Sequence, residues 1–148
     1  MAALAERRKE LLDSMMREAV YEGAVAVLTQ HGLSGTTMDR VAAAAGMAKG
    51  SLYNHFRSKQ DLLEFVHDRA ITPIRDAVSE VLEMQISAAD KLARIVRRWR
   101  EYLVSQHAVL EFLIRDPSAK RQLREAEQTA REWGIRQIAE IVEQGIRE

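Results

Sequence analysis

Apolar side chains return at three- and four-residue steps along most of this chain, the spacing that places them on one side of an α-helix. From about Leu11 to His31 one stripe collects Leu12, Met15, Met16, Ala19, Val20, Gly23, Ala24, Val27 and Leu28. Val41, Ala42 and Ala45 form a second, shorter face. Leu52 and Phe56 form a third, on a segment too short to hold as a helix without a scaffold. A longer stripe runs from Ser58 through Leu62, Leu63, Phe65, Val66 and Ile71 toward Leu82. Pro73 crosses it, which predicts a kink or a break near residues 70–73, because proline lacks an N–H and clashes with the preceding turn. Leu92, Ile95, Val96, Trp99 and Leu103 predict a buried stripe on a further helix. Val109, Leu110, Phe112, Leu113 and Ile114 predict a short apolar one. A last helix carries Leu123, Ala126, Ala130, Trp133, Ile138, Ile141, Val142 and Gly145.

Punctuation between the stripes is chemically specific. Thr36 with Asp39, Ser58 with Asp61 and Ser87 with Asp90 each pair a hydroxyl with an acid three residues on, the pattern that satisfies orphan N–H groups at a helix start. Gly46 ends the alanine-rich helix, since glycine takes positive φ without steric cost. Asp116-Pro117 reads as an N-cap followed by proline at the first helical position. Two prolines, few aromatics and abundant Ala, Leu, Glu and Arg agree with an all-α protein.

Residues 36–59 give the order of parts that a helix-turn-helix needs to push one helix into a DNA major groove: a capped helix, a glycine turn, a short polar helix, an apolar lock and a third capped helix. The run Ala42-Ala43-Ala44-Ala45 has high helix propensity and little bulk, so another helix can cross it closely. Lys49, Arg57 and Lys59 are suited to neutralising phosphates, and Ser51, Tyr53 and Asn54 to donating to phosphates or reading base edges. From Gly35 to Lys59, Arg40, Lys49, Arg57 and Lys59 face Asp39 alone, a local balance of +3 in a chain whose 22 basic and 22 acidic residues cancel. A basic patch on a neutral protein is a sharper sign of a polyanionic partner than general basicity. On spacing alone, two short helices around a glycine turn also occur in bundles that bind no nucleic acid.

A chain of 148 residues accommodates one medium domain or two small ones. Zero cysteines remove disulfides and thiolate metal sites, and fit a reducing cytoplasm, the expected location. No apolar run is long enough to span a bilayer, and charges at Glu6–Glu10 interrupt any signal-like core, so no membrane partner is expected. There is no HExxH, no Glu-x-x-His pair and no supported Ser/His/Asp set. Neither an enzyme, a metal site nor a cofactor is expected, and His67 and His107 stand alone as weak candidates for ligands or switches. The run Arg7-Arg8-Lys9 reads as a solvated helix start or as an arm tracking phosphate. Arg94, Arg97, Arg98 and Arg100 read as a solvated basic face.

The ordered string Ala-Gly-Met-Ala-Lys-Gly-Ser-Leu-Tyr-Asn-His-Phe-Arg-Ser-Lys-Gln-Asp-Leu-Leu, residues 45–63, closely resembles the DNA-binding signature of the TetR family of bacterial transcriptional regulators. Residues 19–32 resemble that family's first helix and terminating glycine, and the strong likeness covers about residues 17–64. The resemblance implies an N-terminal helix-turn-helix module over residues 1–57 and a helical effector-binding bundle over residues 58–148. The helix from Ser58 would link the two. It implies that Lys49, Gly50, Ser51 and Asn54 meet bases or nearby phosphates. Tyr53 and Lys59 fall at phosphate-contact positions, Thr37 touches the backbone, and His55 is a further candidate. At Ala48 the family usually has a serine, so one phosphate contact is in question.

The resemblance further implies double-stranded DNA, with a palindromic operator, as partner, and a small-molecule effector bound among the central helices. Trp99, Tyr102, Leu103, Gln106, Phe112 and Trp133 are the candidate lining, although aromatics at helical spacing are commonly plain core. Family members usually dimerise through two more helices beyond the equivalent of residue 148. A homodimer is therefore expected to lack its usual interface here, the second bundle to be incomplete, and the last helix to bear an exposed apolar strip. The leading reading is a repressor released by its effector. The other reading is an interaction module of the same fold that has lost operator binding.

Overall fold

The computed structural model describes all 148 residues and is built from eight α-helices: α1 Ala2–His31, α2 Met38–Ala44, α3 Lys49–His55, α4 Lys59–Glu83, α5 Ala88–Ser105, α6 His107–Arg115, α7 Pro117–Gln122 and α8 Arg124–Arg147. There are no strands, as the helical periodicity requires. The chain divides into two compact units, Met1–Val66 and His67–Glu148, with the division inside α4.

In the first unit, α1 is longer than its apolar stripe. It starts at Ala2, nine residues before the expected start, and Arg7, Arg8 and Lys9 are solvated positions on it. Burial begins only at Val20 and continues through Gly23, Ala24, Val27 and Leu28; Leu12 and Met15, expected on the buried face, are exposed. α1 ends at Gly32, whose φ of 68° matches the terminating role implied for it. Helix α2 crosses α1 at Gly23. A Cβ placed on Gly23 would lie 2.9 Å from the Ala45 nitrogen and 3.1 Å from the Ala44 carbonyl carbon, both backbone atoms. The alanine run and the glycine opposite it therefore let two helix backbones touch.

Pro73 does not break α4. The helix continues to Glu83, with Thr72 Oγ1 donating to the Asp68 carbonyl at 2.8 Å one turn back. Proline removes one rung of the ladder, and the surrounding helix holds with Ala70, Val78 and Val81 buried. In the second unit, Ser87 caps α5 by accepting from Asp90 N at 3.1 Å, and its own hydroxyl donates to Asp90 Oδ2 at 2.8 Å. Asp116 caps α7 by accepting from Ser118 N and Ala119 N at 2.8 and 3.0 Å, with Pro117 at the first position. The expected single last helix is in fact two. The chain breaks at Leu123, which leaves helical geometry at φ −99°, ψ 13° and is fully buried with Ala119. Neither Gly nor Pro marks that break; apolar burial sets it.

Helix α8 packs back on α5. Gln144 Nε2 donates to the Ile86 carbonyl at 2.9 Å, and the Glu148 carboxylate accepts from Ala88 N at 3.2 Å, a negative group at the positive end of α5. The buried Lys91 donates to the Leu82 carbonyl at 2.9 Å, closing the turn between α4 and α5. The stripe expected to be buried on α5 is largely open: Leu92, Val96, Trp99 and Leu103 are exposed, and so are Ile135, Ile138, Val142 and Ile146 on α8. The apolar strip expected on the last helix is thus present.

His67 is buried in this unit, and burial pushes its imidazole below the usual histidine range; the Glu127 and Asp68 carboxylates pull it up less, and Arg75 adds to the lowering. A depressed folded-state pKa means that the unfolded chain takes the proton first. Stability should therefore fall as pH drops below about 6.5, by at most ~1.4 kcal/mol per pH unit for one proton. Both tryptophans, Trp99 and Trp133, lie in this unit, so urea titrations followed by their fluorescence at pH 7.5 and 5.5 report on it. The loss on acidification should be smaller in His67→Gln; an equal loss in both proteins would contradict the assignment.

Candidate nucleic-acid interface

The interface is built by α2, α3 and the turn between them. The cap of α2 is Thr37, one residue later than the expected Thr36: Thr37 Oγ1 accepts from Arg40 N at 3.2 Å. Thr36 is buried, and its hydroxyl donates to the Gly32 carbonyl at 2.7 Å, so it ties the preceding turn instead. With the cap moved, Asp39 no longer occupies the third helical position and is free to face elsewhere. At the other end of α2, Gly46 N donates to Ala43 O at 3.1 Å and Met47 N to Ala42 O at 3.0 Å, with Gly46 at φ 69°. This pair of bonds reverses the chain at a fixed angle and needs a residue tolerant of left-handed backbone.

Helix α3 has seven residues and its N-cap, Ala48, makes no side-chain bond. Such a helix holds only by packing. Leu52 is fully buried and Phe56 nearly so, and the Phe56 ring lies 5.0 Å from that of Phe65 on α4. Ser58 and Asp61 then start α4 reciprocally: Ser58 Oγ accepts from Asp61 N at 3.2 Å, and the Asp61 carboxylate accepts from Arg57 N at 3.1 Å. With Leu52 and Phe56 turned inward, Lys49, Gly50, Ser51, Tyr53 and Asn54 stand exposed on one short surface, with Thr37 exposed on α2. A Cβ on Gly50 would meet nothing within 4 Å, so the start of α3 is open to close approach.

Three residues named from the sequence are engaged inside the protein. Lys49 Nζ lies 2.9 Å from Asp39 Oδ1 and 5.9 Å from the Tyr53 ring centroid. The hydrogen bond and charge of Asp39 raise the Lys49 pKa above the ordinary lysine value. Lys59 turns its ammonium into the carbonyl of Leu33, and the accompanying burial lowers its pKa. His55 is half-buried and points its Nδ1 toward Asp13 Oδ1 of α1, 3.7 Å away, not out with its neighbours. Arg40 reaches back to the Gly35 carbonyl at 2.6 Å. No sequence signal marks the Asp39–Lys49 pair, because the acid reads as part of a cap that forms one residue later.

Of the candidate effector lining, Trp99 and Leu103 come together with Ile95, Val96 and Ile138 in an open apolar groove of about 640 Å³ that also includes Arg100 and His107. Tyr102, Gln106, Phe112 and Trp133 are half-buried elsewhere in the second unit and do not line it. Gln106 forms the joint between α5 and α6, accepting from Leu110 N at 3.1 Å. No group of three or more His, Cys, Asp and Glu side chains is placed to hold a metal, and no helix is long and apolar enough to cross a membrane.

A short exposed helix seated by two apolar residues, behind a glycine turn and a supporting helix, defines the first unit as a helix-turn-helix. Residues 20–66 match the model of the bacterial regulatory proteins of the tetR family. It is 30% identical over 117 residues to the HTH-type transcriptional repressor KstR2 of Mycolicibacterium smegmatis, covering 79% of this chain and 52% of that protein. It is 24% identical over 88 residues to the fatty acid metabolism regulator protein of Bacillus subtilis, covering 60% of this chain and 45% of that one. The chain thus spans about half the length of these curated relatives. Among solved structures it is similar to a TetR-like transcriptional regulator from Rhodococcus sp. RHA1, with a TM-score of 0.74 at 21% identity over 89% of this chain and 72% of that one.

The bond from Lys59 to Leu33 makes a prediction separable from DNA. Lys59→Met keeps the stem and removes the ammonium, and should cost the first unit roughly 1–2 kcal/mol in thermal melts without nucleic acid. Tyr53→Phe should leave the melt unchanged. A Lys59→Met protein as stable as the parent would show that this lysine braces nothing.

Proposed function

We propose that this chain is a sequence-specific DNA-binding transcriptional regulator, a repressor released by a small-molecule effector. Residues 1–57 act as the reader and residues 58–148 as the effector-responsive part. The observation that carries the reading is the exposed face of α3: Lys49, Ser51, Tyr53 and Asn54 stand clear of the core that Leu52 and Phe56 enter. Asn54 and Ser51 supply hydrogen-bond donors and acceptors for base edges. Tyr53, Thr37 and the lysines supply phosphate contacts, and Gly50 leaves room for a phosphate beside the helix start. Lys59 can serve both roles, since an ammonium has three donors and one is spent on Leu33.

Two copies reading a palindromic operator fit the symmetry of such modules. For the effector, the groove of Trp99, Leu103 and Ile138 supports an apolar compound, and Arg100 in its lining supports an anionic group on it. One relative is named a regulator of fatty acid metabolism, which favours a long-chain acyl compound as the first effector to try.

Selection of bound duplexes from a random pool, followed by affinity measurements across a salt series, tests the reading. The selected duplex should bind with an affinity that falls steeply with salt. Tyr53→Ala should weaken binding to every sequence, while Asn54→Ala should relax discrimination at one base position by about 1–3 kcal/mol. A pool that yields no enriched sequence, together with salt-insensitive binding, would leave the interaction-module reading in its place.

A further inference from the structure

Asp39 is the sole acid between Gly35 and Lys59, and it sits against the first residue of α3. Its carboxylate is not used to cap α2, because Thr37 accepts from Arg40 N. Instead Oδ1 lies 2.9 Å from Lys49 Nζ, with both side chains more than half exposed. Tyr53 completes the setting, its ring 5.9 Å from the same ammonium. Such an exposed pair contributes little to stability, so its presence on this surface is not explained by folding. Its effect falls on whatever approaches Lys49. A phosphate or a base acceptor must draw the ammonium away from a carboxylate already in contact, and the carboxylate left behind repels polyanions.

We propose that Asp39 is a specificity-determining residue that holds Lys49 against α2, so that only a sequence offering Lys49 a better acceptor recovers the contact. This rests on the DNA-binding reading above. On unrelated DNA, where contacts are mostly with phosphate, the pair withholds one cation and adds one repulsion. On the right sequence a guanine edge, with two acceptors in the major groove, competes with Asp39 successfully. The device raises the ratio of specific to non-specific affinity by weakening the latter.

The test uses the full chain, the duplex recovered by selection and an unrelated duplex of equal length, each across a salt series. Asp39→Asn keeps the shape and removes the charge. It should strengthen binding to the unrelated duplex severalfold, steepen its salt slope by about one, and change binding to the selected duplex less. The same substitution on a Lys49→Met background should produce a clearly smaller gain. Equal gains on both duplexes, or an undiminished gain without Lys49, would overturn the proposal while leaving DNA binding intact. If neither the parent nor Asp39→Asn binds any duplex in a salt-dependent way, the proposal falls together with the reading it rests on. Both residues are exposed, so unchanged melting temperatures are expected and confirm that the variants are folded.

Discussion

Two helix backbones meet at Gly23, where the space for a side chain is taken by the Ala44–Ala45 peptide of α2. That close crossing fixes α2 on α1. The hydrogen-bonded turn at Gly46 then fixes where the chain leaves α2, and Leu52 and Phe56 draw the next seven residues against the same core. None of these short helices would persist alone. Each is oriented by the contact before it, and the result is a rigid presentation of Lys49, Gly50, Ser51, Tyr53 and Asn54. Ser51, Tyr53 and Asn54 lie outside the core, which leaves their polar groups facing a partner, while Lys49 is held by Asp39.

Electrostatics on this surface are less one-sided than a count of charges suggests. Of the four cations between residues 35 and 59, Lys49 is met by Asp39, Arg40 by the Gly35 carbonyl and Lys59 by the Leu33 carbonyl. The carbonyl contacts hold their cations without neutralising them, so two of these three positive charges still add to the local field. The aspartate contact does neutralise its partner, which is why Asp39 bears on recognition and the carbonyls do not. In the second unit the corresponding feature is apolar: the open groove on α5 and α8 gathers two of the six side chains named from the sequence.

Local signals were legible where a helix boundary is decided by its own few residues. Gly46, the Ser58–Asp61 and Ser87–Asp90 pairs and the Asp116-Pro117 start all act within one turn of chain, and all are where the sequence puts them. The errors arise where distant packing decides. Thr36 and Thr37 are equally good caps by type, and burial of Thr36 in the preceding turn gave the cap to Thr37. Of the kink or break that Pro73 predicts, the break does not occur, since α4 runs on through it to Glu83. The break at Leu123 has no local marker. The stripe on α5 has the right period for burial, but periodicity shows which residues share a face and not whether another helix covers it. For the candidate interface, the outward set on α3 follows from the positions of Leu52 and Phe56. The inward turn of His55 toward Asp13, by contrast, depends on a helix more than forty residues earlier.

Amide chemical shifts recorded while the chain is titrated with a duplex selected from a random pool test the central claim most directly, because they show which backbone positions sense the DNA. The largest changes are expected at Thr37 and across Lys49–Asn54, with α5 unaffected. Changes centred on the arginines at 94, 97, 98 and 100, with α3 silent, would contradict it.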